Sequence, residues 1–144
     1  MTAAITTDYF TTGGLRLSVK VAGTGRPFLF LHGLCGDALQ PLEVFPDDTG
    51  WQCHALESRG HGGSDIGAME ELSIRRFTED AAAYLEALGR GPAVIGGISM
   101  GAAIALRLTA SRNQPISSAA SGGRLTCWQL FRAGRSGSSS TRPT

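Results

Sequence analysis

Ser99 stands between two glycines, Gly97 and Gly101, each two positions away and directly after a short apolar run. The pattern Gly97-Ile98-Ser99-Met100-Gly101 suits a chain that turns from a strand into a helix within one residue and leaves a hydroxyl exposed at the corner. Such a hydroxyl attacks an electrophilic carbon once a neighbouring base takes its proton. Side chains at positions 97 and 101 would collide where strand and helix pack close around the bend. The plain alternative is a small-residue turn with an incidental serine. What separates the two is whether a buried strand precedes the motif and a helix follows it.

Both elements are legible. "PAVIGGIS" (92–99) is an apolar run without alternation, as are "PFLFLHG" (27–33) and "WQCHALES" (51–58). A strand covered on both faces of a parallel sheet needs that pattern. "LRLSVKV" (15–21) instead alternates apolar and polar residues, the period of a half-buried strand. With "YFTTGG" and its Gly13-Gly14 turn before it, a hairpin is expected. From Ser73, a candidate N-cap, Ile74, Phe77, Ala81, Leu85 and Leu88 recur at helical spacing until Gly89. "SMGAAIALRLTA" (99–110) favours helix, and "DALQPLEVFP" (37–46) does so weakly because Pro41 interrupts it. Strand–helix alternation after an opening hairpin predicts an α/β fold with a mainly parallel sheet.

Two further stretches join the serine motif: "LHGLCG" (31–36) after the first buried strand and "LESRGHGGSD" (56–65) after the second. In this order and spacing, residues 8 to about 112 resemble the amino-terminal half of an α/β-hydrolase. The likeness is greatest to esterase, lactonase and perhydrolase-type members with a serine nucleophile. The second stretch resembles the family's Asp-x-Arg-Gly-x-Gly-x-Ser signature, with Glu57 in place of Asp and with Arg59, Gly60, Gly62 and Ser64 matching. The resemblance implies that Ser99 is the catalytic nucleophile, attacking a small-molecule ester or lactone to form an acyl-enzyme. It implies an oxyanion hole made of the backbone N–H groups of Leu34 and Met100. It also makes His32 a shaper of the oxyanion loop and His61 part of a surface turn, rather than catalytic bases. Dehalogenase- and epoxide-hydrolase-like chemistry is disfavoured, because it needs a carboxylate at position 99. Neither a cofactor nor a metal is implied.

The same resemblance exposes a gap. The family order is Ser, then Asp or Glu, then His, but no acid and no histidine follows Gly101. Residues 1–112 therefore read as the amino-terminal part of the domain, and 113–144 as a basic, Ser/Gly/Arg-rich tail. Of the 32 residues from Asn113 to Thr144, 20 are Ser, Gly, Arg, Thr or Pro, and "WQLF" (128–131) is the lone apolar knot. Composition predicts disorder there. The abrupt change suggests a reading-frame shift or aberrant join near residues 109–113. The expectation is a hydrolase fold lacking its later strands, inactive as given, with the serine-bearing strand left as an exposed sheet edge. A non-catalytic half-domain that binds a partner through that edge is the alternative.

Composition narrows the rest. With 42% hydrophobic and 17% charged residues, the 144-residue chain is ordinary globular material for one domain. The net charge of +1 argues against nucleic acid as a partner, although it averages two unlike parts. Up to Gly101 seven basic residues face twelve acidic ones; beyond it stand six arginines alone. No apolar run reaches membrane-spanning length, and the first ten residues do not read as a signal peptide. Three cysteines without metal-ligand spacing read as reduced thiols, and a cytoplasmic location is expected.

Overall fold

A computed structural model describes residues 2–46, 48–90 and 93–111, together with the backbone of 126–131. A hairpin opens the chain: β1 (Ile5–Thr12) pairs antiparallel with β2 (Leu15–Gly23). Gly13 and Gly14 both have positive φ, as a tight two-residue hairpin turn requires. β3 (Arg26–Leu31) and β4 (Trp51–Leu56) run parallel, and β5 (Ala93–Ile98) lies parallel on the other side of β3. Between them fall α1 (Leu39–Leu42), α2 (Ile74–Leu88) and, after β5, α3 (Met100–Ala110). The strand order is β1-β2-β4-β3-β5-β6, where β6 is Thr126–Phe131. The α/β class and the mainly parallel centre match the sequence expectation.

The unalternating strands bury both faces. Along β3, Leu29 and Leu31 point into a core with Phe77, Ala81 and Leu85 of α2 and Ile104, Ala105 and Leu108 of α3. Phe28 and Phe30 point the other way, to Leu42 of α1, Cys53 and Ala55. The first core is thick because two full helices cover it. The second lies under a four-residue helix and a loop, which leaves an apolar groove along Phe28, Phe30, Phe45 and Ile98. Pro41 fits the first turn of α1, and its missing N–H and its ring oppose an earlier start of that helix. At α2 both expected stops are present. Ser73 Oγ accepts the Arg76 N–H at 3.2 Å, and Gly89 closes the helix at φ 58°.

Two expectations need correction. Ser18 was to face solvent in a half-buried β2, yet it is fully buried. The loop after β4 lies over it, with Ser64 Oγ accepting its N–H at 2.8 Å and the Glu57 N–H donating to its carbonyl at 2.9 Å. The second correction concerns the edge. β5 is not bare, because β6 pairs with it antiparallel, Ile98 opposite Thr126 and Ala93 opposite Phe131. Thr126-Cys127-Trp128 and Phe131 suit an extended chain, and composition averaged over 32 residues hid a strand of six. The open edges among the described residues are β1 and β6. Residues 112–125 and 132–144, with the disorder expected for them, lie outside the described residues.

His54 is buried within β4, its Nδ1 2.7 Å from the Tyr84 hydroxyl and its Nε2 3.1 Å from Gln52 Oε1. Burial, aided by the Arg90 charge, lowers its pKa to about 4. A histidine kept neutral in the fold but protonated when unfolded makes stability rise with pH between the two pKa values. From pH 6.5 down to 4 this group therefore removes stability, up to about 3 kcal/mol. Urea midpoints measured at both pH values should show the loss, and His54→Gln should reduce it.

Candidate active site

The corner at Ser99 has the geometry its neighbours demand. Ser99 sits at φ 53°, ψ −114°, a conformation costly for a residue with a side chain, and it is solvent-exposed. A Cβ at Gly97 would run into the Gly101 carbonyl group and lie 2.8 Å from the Ala102 nitrogen. One at Gly101 would run into the Leu31 carbonyl and lie 2.8 Å from His32 O. The two glycines thus let the first turn of α3 rest against the ends of β5 and β3. Among the described residues no side chain hydrogen-bonds Ser99 Oγ, and neither the Leu34 nor the Met100 N–H has an acceptor. Met100 opens α3, where backbone N–H groups lack helical partners and the helix dipole favours negative charge.

Gly33 brings the loop after β3 to the same place. A Cβ on it would lie 3.6 Å from Ser99 Cβ and 3.5 Å from Ile98 O, an ordinary contact distance. His32, 1% exposed, shapes this loop through its ring. Its Nε2 accepts the Ser58 N–H at 3.0 Å, which leaves Nδ1 to donate to the Gly33 carbonyl at 2.7 Å. The Gly36 N–H meets that carbonyl too, at 3.0 Å. Because the peptide is planar and trans, a Gly33 carbonyl held on one side turns the Leu34 N–H to the opposite side. Burial lowers the His32 pKa, and the nearby His61 adds to that, against the raising effect of the Gly33 carbonyl.

The "ESRGHGGS" loop is a frame rather than a reaction centre. Arg59, 4% exposed, forks onto Asp80 of α2, with Nε at 2.6 Å and Nη2 at 2.9 Å, and reaches Glu71 at 2.6 Å. Both carboxylates hold its pKa above the usual guanidinium value. Ser64 Oγ donates to the Glu57 carbonyl at 2.7 Å, and the Glu57 carboxylate accepts the Gly63 N–H at 2.9 Å. Gly62 adopts φ 52° under that carboxylate, which fills the space a Cβ would need. The Glu57 side chain, which stands where the signature has Asp, is thus tied to its own loop. Asp80 and Glu71 were not anticipated as partners of Arg59. The available signal was an acid at position 80 on the apolar face of α2, between Phe77 and Ala81. Among the described residues no cluster of His, Cys, Asp or Glu suits a metal, and no helix is long and apolar enough to cross a membrane.

Comparison with known proteins shows the family of the fold. The alpha/beta hydrolase fold family matches residues 26–131, and the chain belongs to that family. The match reaches into β6, beyond the residue-112 limit of the sequence resemblance. The chain is similar to 2-(acetamidomethylene)succinate hydrolase of Mesorhizobium japonicum, 31% identical over 109 residues, which cover 71% of this chain and 38% of the relative. The thioesterase domain from the curacin biosynthetic pathway superposes with TM-score 0.71 at 24% identity, over 76% of this chain and 40% of that one. The epoxide hydrolase VrEH1 from Vigna radiata does so with TM-score 0.67 at 22% identity, over 75% and 35%. At these identities the two structures bear on fold alone. The chain spans about two fifths of the length of the proteins it matches.

Two substitutions test the corner. Gly101→Ala forces α3 away from β3 and should cost about 1–3 kcal/mol, the usual range for overpacking. Gly33→Ala, with room for its methyl, should cost less than about 1 kcal/mol; urea denaturation followed by circular dichroism compares them. At the serine, Ser99→Gly relieves the backbone while Ser99→Ala does not. The glycine variant should melt higher, by about 1 kcal/mol in stability.

Proposed function

We propose that the chain carries the nucleophile and oxyanion half of a serine hydrolase that acts on small ester or lactone substrates. Ser99 attacks the acyl carbonyl, and the N–H groups of Leu34 and Met100 receive the developing oxyanion. One observation carries this reading: an exposed serine held at φ 53° between β5 and α3, with the Gly33 loop close enough that a Cβ on Gly33 would touch the serine's own. Strain of this kind persists where surrounding structure enforces it and clusters at functional positions. A serine at the corner favours acyl transfer over reactions that need a carboxylate nucleophile, so the fold shared with an epoxide hydrolase does not extend to that chemistry.

The general base is the missing element. His32 spends both ring nitrogens on backbone groups, and His61 faces two carbonyls. No acid or histidine follows Gly101 in the 144 residues. Without a base the hydroxyl stays neutral and reacts slowly. An oxyanion hole with binding alone supports roughly 10³–10⁴ over water in well-studied triads stripped of their members. The chain as given is thus a preorganised acceptor of the oxyanion with an unactivated nucleophile, its substrate a small molecule.

Added imidazole supplies the missing base. A fluorophosphonate probe, read by peptide mass spectrometry, should label Ser99 slowly in buffer and faster in imidazole, and Ser99→Ala should abolish the labelling. Equal labelling of several serines, insensitive to the Ser99 change, overturns the nucleophile. Stoichiometric labelling without imidazole overturns the missing base.

A further inference from the structure

The turn after β4 carries a histidine whose two ring nitrogens both meet backbone carbonyls. His61 Nε2 lies 2.8 Å from Leu34 O, and Nδ1 lies 3.0 Å from Arg59 O. A carbonyl only accepts and a neutral ring carries one N–H, so the shorter contact, at Leu34, takes the proton on Nε2. The ring is half-buried, tilted against His32 at 4.8 Å between centroids and edge-on to Phe77 at 6.4 Å. Leu34, by contrast, is 63% exposed, so its side chain does little to hold it. What holds it is the backbone on either side. The carbonyl before its N–H, that of Gly33, is bound by His32 and Gly36, and the carbonyl after it is bound by His61.

We propose that His61 is a positioning residue: its Nε2–H grips the Leu34 carbonyl and ties the loop after β3 to the Arg59 turn. With both flanking carbonyls anchored and each peptide planar, the Leu34 N–H keeps one direction beside Ser99. This role exceeds that of a surface turn, which the family resemblance implied for His61. The Arg59–Asp80 fork then matters at a distance, because it fixes the turn from which His61 reaches. The Leu34 part of the oxyanion site is thereby built from two histidines and one buried ion pair, none of which touches the reacting atoms. The inference rests on the Ser99 reading only where it concerns the oxyanion; the hold on the loop stands on the contacts themselves.

Two variants and two readouts test it. His61→Phe keeps an aromatic ring against His32 and Phe77 but has no donor; His61→Gln keeps an N–H within reach of Leu34. Native-state exchange of the Gly36 amide reports the loop, with α2 amides as the reference for intact folding. Binding of n-butylboronic acid in imidazole buffer, which takes the proton that Ser99 releases, is followed by boron NMR as a tetrahedral adduct on Ser99 and reports the oxyanion site. In His61→Phe, Gly36 exchange should quicken roughly three- to tenfold and boronate affinity should fall by a similar factor, the range of one ordinary hydrogen bond. The α2 amides should not change, and His61→Gln should restore most of both. Unchanged exchange in His61→Phe, or equal losses in Phe and Gln, overturns the proposal. If the unmodified chain forms no boronate adduct while His61→Phe still loosens Gly36, the Ser99 reading falls and the positioning role stands.

Discussion

The close approach of α3 to the end of β3 organises this molecule. It is possible only because Gly101 has no side chain to drive into the Leu31 carbonyl and Gly97 none to drive into Gly101. Once helix and strand meet there, the one residue between them has no relaxed conformation left, and Ser99 takes a positive φ. Its exposure and its place beside the Gly33 loop follow from that contact. The strain is a tertiary consequence, stored at a single residue and held by the core of Ile104, Ala105 and Leu108 against Leu29 and Leu31.

Around that corner the polar residues form a scaffold of anchored carbonyls. His32 is kept in one tautomer by the Ser58 N–H and spends its proton on Gly33. Arg59 is buried, yet its charge is met by Asp80 and Glu71 in a forked arrangement. A buried guanidinium without those partners would be strongly destabilising. The network thus gives the loop after β4 a fixed shape at the C-terminal end of that strand. The ring nitrogens of His32, His54 and His61 all lie within hydrogen-bond distance of other protein groups.

The two faces of the sheet differ in finish. One carries α2 and α3 and a thick core; the other carries a four-residue helix and an open apolar groove. β6 covers the flank of β5, which removes the bare central strand that composition implied.

Much of this was readable from residue types. The unalternating runs announced buried parallel strands, Ser73 and Gly89 bounded α2, and the paired glycines announced the corner, because each of these is a local steric or hydrogen-bonding requirement. The alternation of β2 misled at Ser18, since a loop residue 46 positions later covers that face. The strand at 126–131 was obscured because pairing with β5, rather than its own polar surroundings, determines its shape. The partners of Arg59 lie 12 and 21 residues away and that of His61 lies 27 away, and the acid at position 80 on an apolar helix face was the one local sign of them. Local sequence dictated where the chain must bend, bury and stop; only packing in three dimensions decided which carbonyls and carboxylates would meet the side chains at those bends, because hydrogen bonds between distant residues leave no periodic trace.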